Sequence, residues 1–408
     1  MQSCDDLPVR LRWWLGGQGL AAVVRTPWRV AGVAAATAAA FCAVRAWVLG
    51  GVGHFVVAGS RYADPDALAG VIPVVNGDGY DGQFFFRLAA DPLALGLGPH
   101  HGISLDTAFR AGRIGYPALA WIVSGGGTTS LVPLALVVVN VVAIGVLGYV
   151  GARLALDSGR ACAWGLAIAG YFGFAYSLSR NLSEIVAAAA LCTALLLIRQ
   201  QRPWWAAAAM AASVLTREQA VLAVVMVVLG TLVAERRESG WRHAVLAAAR
   251  LSAPPLVVFV TWQETASRQV GRWPALVSGA ANGRSPTFGV FTRVGDFASE
   301  AFGTGGGRFS LLLLAMLIVL VAGAAASGAV PTMWRSHPGE LLMGAGAVVL
   351  AVRFYGLTTD PAYYRQAADV SIGAWLVMWS GRRWVMIAVA SLVGPVTIVV
   401  AAYRMLHL

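Results

Sequence analysis

Long apolar runs separated by short polar turns dominate the chain. A membrane-spanning helix needs about 20 mainly apolar residues. Runs of that kind recur near 28–50, 131–150, 161–178, 182–198, 203–216, 218–234, 244–262, 309–327, 339–356, 367–380 and 384–403. They predict an all-α polytopic membrane protein with about 11 transmembrane helices, within a range of 10–12. The stretch RIGYPALAWIV at 113–123 is apolar but short, so it is either a twelfth span or a helix lying in the interface. No internal repeat of the length that marks a solenoid is visible.

Composition agrees with a membrane class. The chain is 58% hydrophobic and 12% charged, with mean hydropathy +0.69. A soluble domain carries about 25% charged residues. The net charge is +11, and all 30 basic residues are arginine. No basic stretch is interleaved with stacking aromatics, so nucleic acid is not an expected partner. Cys4, Cys42, Cys162 and Cys192 match no metal-binding spacing. The last three fall in apolar segments and read as small buried hydrophobes. The first apolar run is preceded by Asp5, Asp6, Arg10, Arg12, Arg25 and Arg29 and followed by no clear cleavage site, so it reads as a retained helix.

Arginine placement sets the orientation, because short cytoplasmic loops are enriched in basic residues. With 113–123 not spanning, one face collects the N-terminus, Arg153 and Arg160, Arg199 and Arg202, Arg236, Arg237 and Arg242, Arg335, and Arg382 and Arg383. The expectation is a cytoplasmic segment 1–27 and a single transmembrane domain 28–408, with outer loops at 51–130 and 263–308. Short outer turns fall at 177–184, 215–219 and 356–366. Arg404 is an exception near the outer end, and Arg45 and Arg250, in or near spans, are expected to snorkel.

This topology gathers the mixed-charge segments on the outer face, where an ionisable group near the membrane is a functional candidate. NGDGYDGQFFFRLAADP at 76–92 sets Asp78 and Asp81 among glycines, ahead of an aromatic helix. Either carboxylate is a candidate general base for an acceptor hydroxyl; a helix cap is the plainer role. Arg87 and Asp91 stand at i,i+4 and are expected to pair. Arg110 and Arg113 share a face and suit phosphate or anionic lipid head groups. Arg180 with Glu184, and Arg217 with Glu218, are expected as ion pairs or site residues. DPAYYRQAAD at 360–369 brings Tyr363, Tyr364 and Arg365 to the mouth of a span. GTGGGR at 303–308 is expected as a flexible loop, with a phosphate cradle as the alternative. His100 and His101 could bind a metal, although adjacent residues on a helix point apart.

Taken in order, these features resemble the GT-C superfamily of integral membrane glycosyltransferases. YDGQFFFRLAADP looks like the acidic motif after the first span, and RAGRIGYPALAW looks like the R..R..YP segment of bacterial and actinobacterial members. SRNLSE and VLTREQAVL look like the polar turns of the middle spans. The resemblance covers most of residues 30–235; beyond it only YYRQAAD stands out. It implies a GT-C-like fold with interfacial helices in a long first extracytoplasmic loop, in a multi-pass protein of the bacterial plasma membrane. It implies transfer of a sugar, mannose or arabinose, from a polyprenyl-phosphate donor to a cell-envelope glycan or glycolipid acceptor, with inversion. The active site would face the periplasm or cell exterior, among membrane lipids.

In that frame the catalytic residue is Asp81, with Asp78 as second choice. Arg110, Arg113, Arg180, Arg217 and Arg365 are the donor phosphate or lipid ligands, and Gln83, Tyr116, Glu184, Glu218, Tyr363 and Tyr364 the substrate contacts. No cofactor and no metal ligand is assigned: the Asp-x-x-Asp spacing departs from the Asp-x-Asp of metal-dependent members, and a divalent metal stays open. A lipid-linked sugar flippase or other transporter, and a non-catalytic partner in envelope assembly, are the alternatives.

Overall fold

The computed structural model describes residues 24–277, 302–352 and 361–406. Its main helices are α1 (Pro27–Leu49), α2 (Asp81–Ala90), α3 (Gly115–Val123), α4 (Val132–Asp157), α5 (Gly165–Ala169), α6 (Phe172–Ser179), α7 (Glu184–Arg199), α8 (Pro203–Thr216), α9 (Ala220–Ser239), α10 (Trp241–Val270), α11 (Gly305–Ala326), α12 (Val330–Ser336), α13 (Pro338–Leu350), α14 (Ala368–Trp379) and α15 (Arg383–Leu406). Among the described residues the only sheet is a parallel pair, Ala58–Gly59 beside Val74–Val75. It lies in the segment between α1 and α2. The fold is all-α.

Five helices, α1, α4, α10, α11 and α15, are long and apolar enough to cross a membrane. Leu134, Val138, Val142 and Val146 form an i,i+4 stripe on α4 that is exposed along its length. Leu256, Val257 and Val260 are likewise exposed on α10. In water such stripes would be sticky patches; against lipid tails they cost nothing. These helices are compatible with a multi-pass membrane protein.

The other apolar runs fold into shorter pieces. The run at 161–178 is divided around Gly170 and Tyr171 into α5 and α6. Helices α7, α8, α13 and α14 have 16, 14, 13 and 12 residues. At about 1.5 Å per residue they reach roughly 18–24 Å, short of a hydrocarbon core about 30 Å thick. The N-terminal end of α7 and the C-terminal end of α8 are polar turns with buried residues, among them Asn181, Ser183, Glu184, Thr216 and Arg217. Helix α3 has only 9 residues, about 14 Å, a length suited to the interface and too short to span. GTGGGR is not a loop throughout: the Thr304 hydroxyl caps α11 by accepting from Gly307 N at 3.0 Å.

Helix α1 packs on α4, α7 on α8, α8 and α9 on α10, and α13 on α9 and α14. Helix α2 lies against α3, and α6 against both α15 and the 3-10 turn Pro361–Ala367. Those last contacts bring distant polar turns together. Cys42, Cys162 and Cys192 are buried free thiols, as their apolar surroundings predicted. Cys4, Asp360, the side chain of Tyr363, and much of segment 1–27 and of loop 263–308 lie outside the described residues.

Candidate active site

Asp81 is the first residue of α2. Two close approaches fix it in place. A methyl group at Gly82 would lie 2.5 Å from the Arg180 carbonyl oxygen and 2.7 Å from that of Val56, so only glycine lets α2 dock on the 177–184 turn. Gly115 likewise lies so close to Thr216 that no Cβ fits there. That contact sets the Arg113 segment beside the 215–219 turn.

The result is a continuous ion-pair network. Arg110 Nη1 lies 2.8 Å from Asp81 Oδ1. Arg365 Nη2 and Arg113 Nη1 approach Asp81 Oδ2 at 3.2 and 3.7 Å. Each of these arginines holds a second carboxylate. Arg110 grips Asp106 with two bonds of 2.9 and 3.0 Å, and Arg113 grips Glu218 with two of 2.9 Å. Arg365 Nε donates to Glu184 at 2.7 Å, and Arg217 lies 3.9 Å from the same carboxylate. Ser177 donates to Glu184 at 3.2 Å, and Arg365 also donates to the Tyr80 hydroxyl. Four carboxylates thus face four guanidinium groups. Burying charges in this manner is tolerable only when each is paired and hydrogen-bonded.

The network has a closed side and an open side. Glu184 is 1% exposed at its side chain and Arg365 6%, whereas Asp81 and Asp106 are 18% and 19% exposed. Solvent or a substrate therefore reaches Asp81 but not Glu184. Burial pushes the Asp81 carboxyl upward, but Arg110, Arg365 and Arg113 together outweigh it and hold it at about 2. Asp81 is ionised at neutral pH.

A second, cationic feature adjoins this network. The Arg180 guanidinium lies against two phenol rings, 4.3 Å from the centroid of Tyr80 and 4.7 Å from that of Tyr176. Arg404 covers the Tyr176 ring at 3.9 Å, and Arg365 lies 5.2 Å from the Tyr80 ring. Arg404, Tyr176, Arg180, Tyr80 and Arg365 thus alternate as cation and ring. Arg180 has no carboxylate partner among the described residues, and its Nε is buried without a hydrogen-bond acceptor. Arg45 is fully buried rather than snorkelling; it donates to the backbone carbonyls of Ser179 and Arg404.

Several expectations change. Asp78 is not a partner of Asp81: it pairs with Arg61 at 3.0 Å, and its side chain is 69% exposed. Gln83 is buried and braces the chain, accepting from Gly59 N at 3.0 Å and donating to the Asp78 carbonyl at 2.8 Å. Tyr116 is buried too; its hydroxyl donates to the Leu136 carbonyl and accepts from Asn140, both at 2.9 Å. Neither meets the Asp81 network. Tyr364 is buried, and its backbone carbonyl accepts from the Tyr171 hydroxyl. Arg180 does not pair with Glu184, nor Arg217 with Glu218, because Arg365 and Arg113 take those carboxylates. Asp81 gives no side-chain cap to α2, whose N-cap is Tyr80. Arg87 donates to the Gly96 carbonyl, and Asp91 faces His100 instead.

The sequence reading missed Asp106, Tyr80, Tyr176 and the site role of Arg404. Asp106 stands four residues before Arg110, and Tyr80 immediately before Asp81, so both were within reach of a local reading. Tyr176 and Arg404 meet only through packing of α6 on α15. Comparison of the chain with protein-family models, curated proteins and solved structures returned no match.

Proposed function

We propose that the protein is a GT-C-type membrane glycosyltransferase that moves a sugar from a polyprenyl-phosphate donor to an envelope glycan or glycolipid. The observation that supports this most is the meeting of one solvent-reached carboxylate, Asp81, with three arginines, beside a fourth arginine that has no carboxylate of its own. The reaction needs both parts. The acceptor oxygen attacks the anomeric carbon from the face opposite the phosphate. The bond from that carbon to the phosphate oxygen breaks, and the lipid phosphate leaves with the electron pair. The acceptor proton passes to Asp81, and the sugar inverts.

Charge decides the division of labour. Arg110, Arg113, Arg217 and Arg365 are neutralised by the four carboxylates they hold. Arg180 is a guanidinium with no carboxylate partner among the described residues, and it lies against the Tyr80 and Tyr176 rings, so its N–H groups have capacity left for phosphate oxygens. Asp81, held at about 2, is a weak base at rest. A donor phosphate bound at Arg180 brings negative charge next to the Tyr80–Asp81 segment, and the Asp81 carboxyl rises toward a useful basicity. Five full-length apolar helices with shorter apolar helices packed among them, and this end of the bundle on the exterior of a bacterial plasma membrane, complete the reading.

The test is binding of a polyprenyl monophosphate to the purified chain in detergent. Arg180→Gln is expected to weaken it at least tenfold. Unchanged affinity, or no binding to the unaltered chain, would overturn the donor assignment.

A further inference from the structure

At the far end of α2 from Asp81 lies a second cluster of potential ligands. Asp91, the C-cap of that helix, presents Oδ2 3.1 Å from His100 Nε2. Its other oxygen is already occupied, accepting from Leu93 N at 3.1 Å, so the carboxylate is held in orientation. The His100 backbone is fixed by a reciprocal pair of bonds with Ile103 at 3.0 and 3.1 Å. His101 has φ +48° and Gly102 φ +75°. Two successive left-handed residues turn the chain tightly. Adjacent side chains that would diverge on a helix are thereby brought together, with ring centroids 4.4 Å apart and planes at 76°. One ligand atom from each of Asp91, His100 and His101 lies within 4.8 Å of the other two.

We propose that Asp91, His100 and His101 hold one divalent transition-metal ion of the zinc class. Zinc binds imidazole nitrogen and carboxylate oxygen at about 2.0–2.2 Å. Two ligand atoms on one tetrahedral ion then stand roughly 3.3 Å apart, close to the 3.1 Å between Asp91 Oδ2 and His100 Nε2. Two nitrogens to one oxygen favour zinc over magnesium or calcium, which prefer all-oxygen shells. The His101 ring makes no hydrogen bond among the described residues, so its nitrogens are available to an ion. Asp91 and His100 are 42% and 39% exposed at their side chains, so water completes the shell. Arg87, the nearby buried cation, donates to the Gly96 carbonyl and forms no ion pair with Asp91 among the described residues. The ion would tie the end of α2 to the 97–105 loop. It stands apart from Asp81 by the length of the helix and does not depend on the glycosyltransferase reading.

The test uses the full chain, purified without a histidine tag and stripped with a chelator. Titration with Zn²⁺ is followed by calorimetry, and with Co²⁺ by its visible absorption. One ion per chain is expected, together with a raised melting temperature. His101→Asn keeps a residue tolerant of the left-handed backbone, and Asp91→Asn keeps an acceptor for Leu93. Each is expected to melt as the unaltered chain does without metal, and to bind Zn²⁺ at least tenfold more weakly. If the unaltered chain takes up no Zn²⁺, or if both variants bind as it does, the assignment is overturned. Should a variant fail to fold, mass spectrometry of zinc-loaded unaltered chain after histidine modification decides: zinc must protect His100 and His101, and equal modification with and without zinc contradicts the site.

Discussion

Asp81 shows what a residue gains from its surroundings. On its own it is a carboxylate at the start of a short helix. Within the network it is the one acid that touches three guanidinium groups and still reaches solvent. Glu184 is the opposite case: an acid so enclosed by Arg365, Arg217 and Ser177 that its task is to hold cations in position. Removing one member of a buried pair strands the other and costs about 3–5 kcal/mol. Arg365→Gln is therefore expected to lower the melting temperature in detergent by several degrees. Arg365→Gln combined with Glu184→Gln should lose less than the two single changes added together, because the two charges that face each other at 2.7 Å are removed together. Strict additivity would mean that the two side chains are not coupled.

At the scale of elements, the close docking of α2 governs the site. Gly82 lets the helix press on the carbonyls of Val56 and Arg180, and this contact delivers Asp81 to the arginines. Gly82→Val would overpack that contact at a cost of about 1–3 kcal/mol. Backbone atoms cannot swing aside as a side chain would, so α2 must shift. Transfer activity should fall at least tenfold even where the folded protein is recovered, and normal activity would show that the docking does not position the site. The GDGYDG stretch was legible as a bend, and the polar turns at 177–184 and 215–219 were legible as interruptions of apolar runs. Their partners were not. Local spacing suggested Arg180 with Glu184 and Arg87 with Asp91, but the structure pairs Glu184 with Arg365, 181 residues away, and Asp91 with His100. Helical periodicity ranks neighbours on one element, and the strongest buried pairs here join different elements. The same limit explains Gln83 and Tyr116: their polar atoms satisfy backbone and Asn140 inside the fold, a demand invisible in sequence.

For the whole molecule, apolar composition announced a membrane class, and the five long apolar helices agree with it. Helix lengths were less legible, because a short helix buried among others needs no more apolar residues than its neighbours cover. The charges follow a larger order. A balanced set of four acids, Asp81 among them, and four arginines makes up the network, and Arg180 against the Tyr80 ring adds positive charge beside it. Such an arrangement suits an anionic donor next to a carboxylate that takes a proton. The most direct measurement is sugar transfer from a polyprenyl-phosphate donor to an acceptor by the unaltered chain, Asp81→Asn and Asp78→Asn, each checked for folding and donor binding. Proton transfer by a positioned group contributes about 10²–10⁴ in rate, so Asp81→Asn should bind donor yet lose at least about 100-fold in transfer, while Asp78→Asn, altered only at an exposed pair with Arg61, should retain it. Full transfer by Asp81→Asn would contradict the account.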